Sequence, residues 1–98
     1  MGLWKADLQR VSAKALYGSV VDQQQVTLTV AGWVNNQQVV SVAGVLANNP
    51  VFPSPDPASQ KAYGESGVYC LAQAAGTLTF ACEEKPTAAL KVNLAIFA

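Results

Sequence analysis

Histidine is absent from this 98-residue chain. That removes the one side chain whose unperturbed pKa lies near neutrality and on which most general acid–base and nucleophilic chemistry depends. Charge is scarce as well: six basic and six acidic residues balance to zero and make up only 12% of the chain. Lys5, Arg10, Lys14, Lys61, Lys85 and Lys91 are scattered, so no basic patch points to nucleic acid as a partner. Two cysteines, Cys70 and Cys82, are too few for a secreted disulfide scaffold, and without histidine they do not complete a zinc ligand set. Free, partly buried thiols are expected. No apolar run approaches the roughly 18 residues needed to cross a bilayer. The opening MGLWKADLQRVSAKAL carries charge where a signal peptide needs its apolar centre. Ala6 stands where myristoylation of Gly2 would need Ser or Thr. A soluble product made in the cytoplasm, with no membrane partner, is expected.

Chemical motifs are missing too. There is no glycine-rich phosphate loop, calcium loop or dinucleotide fingerprint, so no cofactor or metal is implied. Cys70 and Cys82 alternate with core-type residues and lack a flanking catalytic signature, which reads as structural thiols rather than nucleophiles. Glu83 and Glu84 are the only adjacent carboxylates and read as a solvated turn. No catalytic residue is assigned and the chain reads as non-enzymatic.

What is present is apolar and rich in strand-forming residues. About half of the residues, 51%, are hydrophobic, enough for one modest core at this length. Residues 1–22 differ from the rest, holding Lys5, Asp7, Arg10, Lys14 and Asp22 and an apolar spacing of Leu8, Val11, Ala15 and Leu16 that fits one face of a short helix. That helix either packs on its own domain or acts as an arm, with Leu8, Val11 and Leu16 as the anchor or self-association residues. From Gln23 to Pro55 there is no charged side chain. QVTLTV (25–30) and QVVSVAGV (38–45) within it read as two strands of a hairpin, with Trp33, Asn35 and Asn36 in the connection. An uncharged β-surface invites pairing with other chains, so either its Gln and Asn side chains keep it wet or subunit association covers it.

PVFPSPDP (50–57) reads as an extended, polyproline-like crossing outside any central strand. Asp56-Pro57 reads as a helix cap, with a short helix or turn running to Tyr63 and stopping at Gly64. GVYCLAQAAGTLTFAC (67–82) is the strongest hairpin, with Ala75-Gly76 at its tip and Leu78, Phe80 and Cys82 on one face. LKVNLAIF (90–97) alternates Leu90, Val92, Leu94 and Ile96 with Lys91, Asn93, Ala95 and Phe97, as a half-buried strand should. The fold class that follows is mainly β: a small antiparallel β-sandwich over residues 23–98 with a short N-terminal helix or arm over 1–22. Trp33, Phe52, Tyr63 and Tyr69 are candidates for stacking on a sugar, with core roles as the competing reading of each.

The order of these elements resembles a β-module of tailed-bacteriophage virion proteins, found in or beside tail-fibre, head-fibre and baseplate genes. The resemblance rests on Gly44-Val45-Leu46-Ala47, Pro53-Ser54-Pro55, Ser59 to Tyr63, Gly67 to Phe80 and Leu90 to Phe97, and covers roughly residues 26–98. Glu65-Ser66 departs from the usual alanine before the Gly-Val pair, and residues 1–22 have no counterpart. The resemblance implies a structural protein of the virion, homotrimeric and in contact with other virion proteins, with a receptor- or glycan-binding fibre tip as the alternative. It leaves head, tail, baseplate and fibre undistinguished.

Overall fold

A computed structural model describes residues 20–97. The amphipathic segment with Leu8, Val11 and Leu16 lies outside the described residues.

Six strands form two antiparallel three-stranded sheets. In the first, β6 (Leu90–Phe97) is central, flanked by β1 (Val20–Leu28) and β3 (Val51–Pro55). In the second, β5 (Thr77–Ala81) is central, flanked by β2 (Gln37–Ser41) and β4 (Tyr69–Ala74). The two central strands explain the sandwich. Leu90, Val92, Leu94 and Ile96 of β6 and Leu78 and Phe80 of β5 are all at most 2% exposed, and alternation puts them on one face of each sheet. They join Leu28, Trp33, Val42, Val45, Val68 and Cys82 in a single cluster between the sheets. Two layers sharing one apolar interior are what the alternating segments predict.

The strands at 25–30 and 38–45 are not a hairpin. β1 pairs with β6 and β2 with β5, so the two lie in different sheets. The Asn35-Asn36 turn is nonetheless real: both residues have positive φ, 52° and 61°, the pattern that suits asparagine in a tight two-residue turn. It closes only the single bridge between Val34 and Gln37. Residues 29–36 therefore form a corner that carries the chain from one sheet to the other.

An amide clamp stabilises this corner. Gln38 points inward from β2 and is buried, its Oε1 accepting from the Thr29 N–H at 2.9 Å and its Nε2 donating to the Thr29 carbonyl at 3.0 Å. The side chain thus pairs with backbone as a neighbouring strand would. A Cβ on Gly32 would lie 2.6 Å from Gln38 Oε1 and 2.7 Å from Thr29 Oγ1, so only glycine fits beside the clamp.

The proline-rich segment pairs with a sheet after all. Val51–Pro55 is an edge strand on β6, the place in a sheet where a residue without an N–H is tolerated. Asp56 caps the following turn, its Oδ2 accepting from the Ala58 N–H at 3.3 Å, and a 3-10 turn (Pro57–Ser59) leads into helix α1 (Gln60–Glu65). Gly64 stays inside that helix. The stop is Gly67, with φ 63°, where Gly67 N–H donates to Gly64 C=O and Val68 N–H to Tyr63 C=O, the Schellman pattern that a left-handed glycine permits. Gly76, with φ 81°, turns the β4–β5 hairpin as expected. Among the described residues no helix is long and apolar enough to cross a membrane.

Candidate functional site

The four aromatic candidates do not converge. Trp33 is 6% exposed and sits in the core; among the described residues nothing accepts a hydrogen bond from its Nε1. Tyr63 packs against the same core from α1. Phe52 and Tyr69 are exposed, but on different sheets. Surface chemistry therefore divides between two outer faces.

On the outer face of the first sheet, three strands in register form two rows. Gln25, Asn93 and Ser54 make one, and Gln23, Ala95 and Phe52 the next. Gln25 Nε2 donates to Asn93 Oδ1 at 2.9 Å, which leaves Gln25 Oε1 as an acceptor and the Asn93 amide as a donor. Phe52 is 60% exposed and meets Phe97 edge to face, with ring centroids 5.4 Å apart. Ala95, the smallest side chain of the group, leaves a shallow open depression of about 550 Å3 bounded by Phe52, Ser54, Asn93 and the glutamines at 23–25. None of these side chains is charged. Gln24, next to the depression, is held by its own bonds to Asp22 Oδ2 at 2.8 Å and the Ala43 carbonyl at 2.7 Å.

The outer face of the second sheet has a different character. Register places Gln37, Ala81 and Tyr69 in one row, Val39, Thr79 and Ala72 in the next, and Ser41, Thr77 and Ala74 in a third. None of these side chains is charged; Gln37, Ser41, Thr77 and Thr79 are polar, and Ala81 is buried. Val39 is 63% exposed and Tyr69 49%, with Leu71 at 46% in the bulge between Cys70 and Ala72. Natural sheets usually protect their edges. Prolines guard β3 and the bulge guards β4, while β2 has neither.

Comparison with protein-family models, with curated proteins and with solved structures returns no match.

Other polar side chains hold the scaffold together. Ser59 is buried, and its Oγ accepts from the Lys91 N–H at 2.9 Å where β6 runs past the end of β3. Gln73 Nε2 donates to the carbonyls of Leu46 and Asn49, each at 2.7 Å. Asn49 in turn donates to the Phe97 carbonyl at 3.1 Å. Gln73 and Asn49 thus latch the 46–50 loop to both sheets, and neither lines the depression.

Cys70 and Cys82 are free thiols. Burial pushes both upward from the ordinary thiol range, and it raises Tyr63 as well, with a smaller contribution from Cys70. Native protein at pH 7.5 is expected to react slowly with a thiol reagent, Cys82 more slowly than Cys70; two rapid equivalents would contradict this. The sign for stability follows: a group protonated in the fold but ionised when unfolded stabilises below its unfolded pKa and loses that contribution as pH rises. Denaturant midpoints should therefore decline above about pH 8.5, where an unfolded thiol begins to ionise. Among the described residues no three Cys, Asp or Glu side chains converge to hold a metal ion. Glu83 and Glu84 are exposed in the turn after β5.

Proposed function

We propose that this chain is a non-enzymatic structural module of a tailed-bacteriophage particle that associates with copies of itself as a trimer and attaches through residues 1–22. The observation that carries the self-association is the uncharged outer face of the second sheet with the unguarded β2 beside it. An uncharged sheet face with Val39, Tyr69 and Leu71 exposed on it gains from being covered by another subunit. The phage setting rests on the resemblance over roughly residues 26–98.

Native mass spectrometry of the full chain at micromolar concentration tests the association. A species of three times 10.3 kDa is expected. A clean monomer across that range would overturn self-assembly. A second reading, a receptor- or glycan-binding tip, is favoured by Phe52 standing exposed over the depression of the first sheet.

A further inference from the structure

We infer that the depression on the outer face of the first sheet is a binding site for a neutral pyranose oligosaccharide, with Phe52 as its stacking platform. The inference rests on the second reading and is independent of self-association, which uses the opposite sheet.

The argument starts from the side chains. A pyranose presents an apolar C–H face and a rim of hydroxyl groups, each a donor and an acceptor. A site for it needs an aromatic ring held at a fixed angle and planar polar groups that both donate and accept. Phe52 supplies the ring, and its edge-to-face contact with Phe97 at 5.4 Å limits its rotation. Gln25 and Asn93 supply the amides, oriented against each other by the 2.9 Å bond between them. The Gln25 carbonyl and Asn93 N–H2 are left to face a ligand, with the Ser54 hydroxyl on the opposite strand. Ala95 is the floor. It is the one residue in the two rows small enough to let a ring descend between Phe52 and the amides.

The absence of charge sets the class of ligand. No lysine or arginine lines the depression, and Lys91 stands one row beyond Asn93, opposite Thr27, so an anionic sugar seated on Phe52 and Ala95 would meet no cation in the two rows that it covers. An open depression of about 550 Å3 covers one or two sugar rings, which points to a dissociation constant on the order of millimolar for each site. Were the chain also trimeric, three such sites would raise the effective affinity through avidity.

The test is an NMR titration of the full chain with cellohexaose, maltohexaose and chitohexaose, and with a heparin hexasaccharide as the anionic probe. At least one neutral probe should shift the side-chain amide signals of Gln25 and Asn93. Phe52→Ala and Ala95→Leu should each weaken that binding by about tenfold or more, the first by removing the platform and the second by filling the floor. Both substitutions are on the outer face, and a melting temperature close to the parent's establishes that the fold is intact. The inference is overturned if no neutral probe shifts these amides at 20 mM, if both variants bind like the parent, or if the heparin probe binds as well as the neutral ones. The native mass of the same samples reports on self-association separately. If Ala95→Leu lowers that mass while leaving sugar binding unchanged, the depression is a subunit contact and the inference also fails.

Discussion

If the chain associates as proposed, a lysine in place of Val39 is expected to convert the trimer to monomers while leaving the domain folded. Val39 lies in the middle row of the second sheet's outer face, on its edge strand, and is 63% exposed. The isolated domain therefore has little to lose from the change, since surface substitutions away from special features usually shift stability by about 0.5 kcal/mol or less. An interface would lose far more. Each copy would bring an unpaired ammonium into a surface that offers no carboxylate, and the cost of desolvating one such ion is several kcal/mol, incurred roughly once per subunit. Native mass spectrometry and thermal melting on the same sample check both halves. Thr27→Glu is the control: it adds a charge opposite Lys91 on the other sheet and should leave the mass unchanged. If Val39→Lys retains the parent's mass, the second sheet's outer face is not the contact.

Gln38→Leu is expected to destabilise the domain by about 2–4 kcal/mol. The substitution is close in size and apolar, so packing alone would make it mild. The loss comes from the Thr29 N–H and carbonyl, which give up their partners at 2.9 and 3.0 Å. Thr29 is itself exposed, so water recovers part of each loss and the cost is about 1–2 kcal/mol each, the lower part of the range for an unsatisfied backbone group. For a domain of this size the melting temperature should fall by about 10–20 °C. Gln38→Glu separates hydrogen bonding from shape. A protonated glutamic acid can both accept from the Thr29 N–H and donate to its carbonyl, whereas the carboxylate can only accept and is buried besides. Its folded pKa would lie above the unfolded value of about 4.3, so its stability should be near the parent's at about pH 4 and decline as pH rises towards 7. Thermal melts at the two pH values check the sign. A Gln38→Glu protein more stable at pH 7 than at pH 4 would mean that the clamp does not hold the corner.

Sequence reading reached the local structure and stopped at the long-range pairing. The alternation of Leu90 to Ile96, the Ala75-Gly76 hairpin and the Asp56 cap are properties of neighbouring residues, and each is where the pattern places it. The hairpin expected between residues 25 and 45 failed because strand propensity says nothing about partners. Thr29 to Asn36 looked like a turn, and it contains one, but the chain uses it to change sheets. The prolines at 53 and 55 suggested an extended crossing outside any central strand, and the segment is an edge strand, whose pairing with β6 the sequence did not reveal. Gly64 reads as the helix stop, but it is Gly67 that takes the left-handed conformation, which composition does not reveal. Gln38 was unreadable for another reason: amides in an uncharged stretch suggest a wet surface, and nothing local marks one as buried. Of the aromatics proposed for stacking, Phe52 alone lines the depression. Its companions Gln25, Ser54, Asn93 and Ala95 come together only when three strands, distant in sequence, are set in register.

The last strand lies at the centre of its sheet, and its residues serve two purposes by turns. Leu90, Val92, Leu94 and Ile96 are locked into the interior, while Asn93 and Ala95 form the floor and wall of a surface hollow. Neighbours in the chain are thus under unrelated constraints. Substitution at positions 93 and 95 can reshape the hollow while the even positions keep the domain folded, so this strand can vary its exposed side without disturbing the interior that it closes.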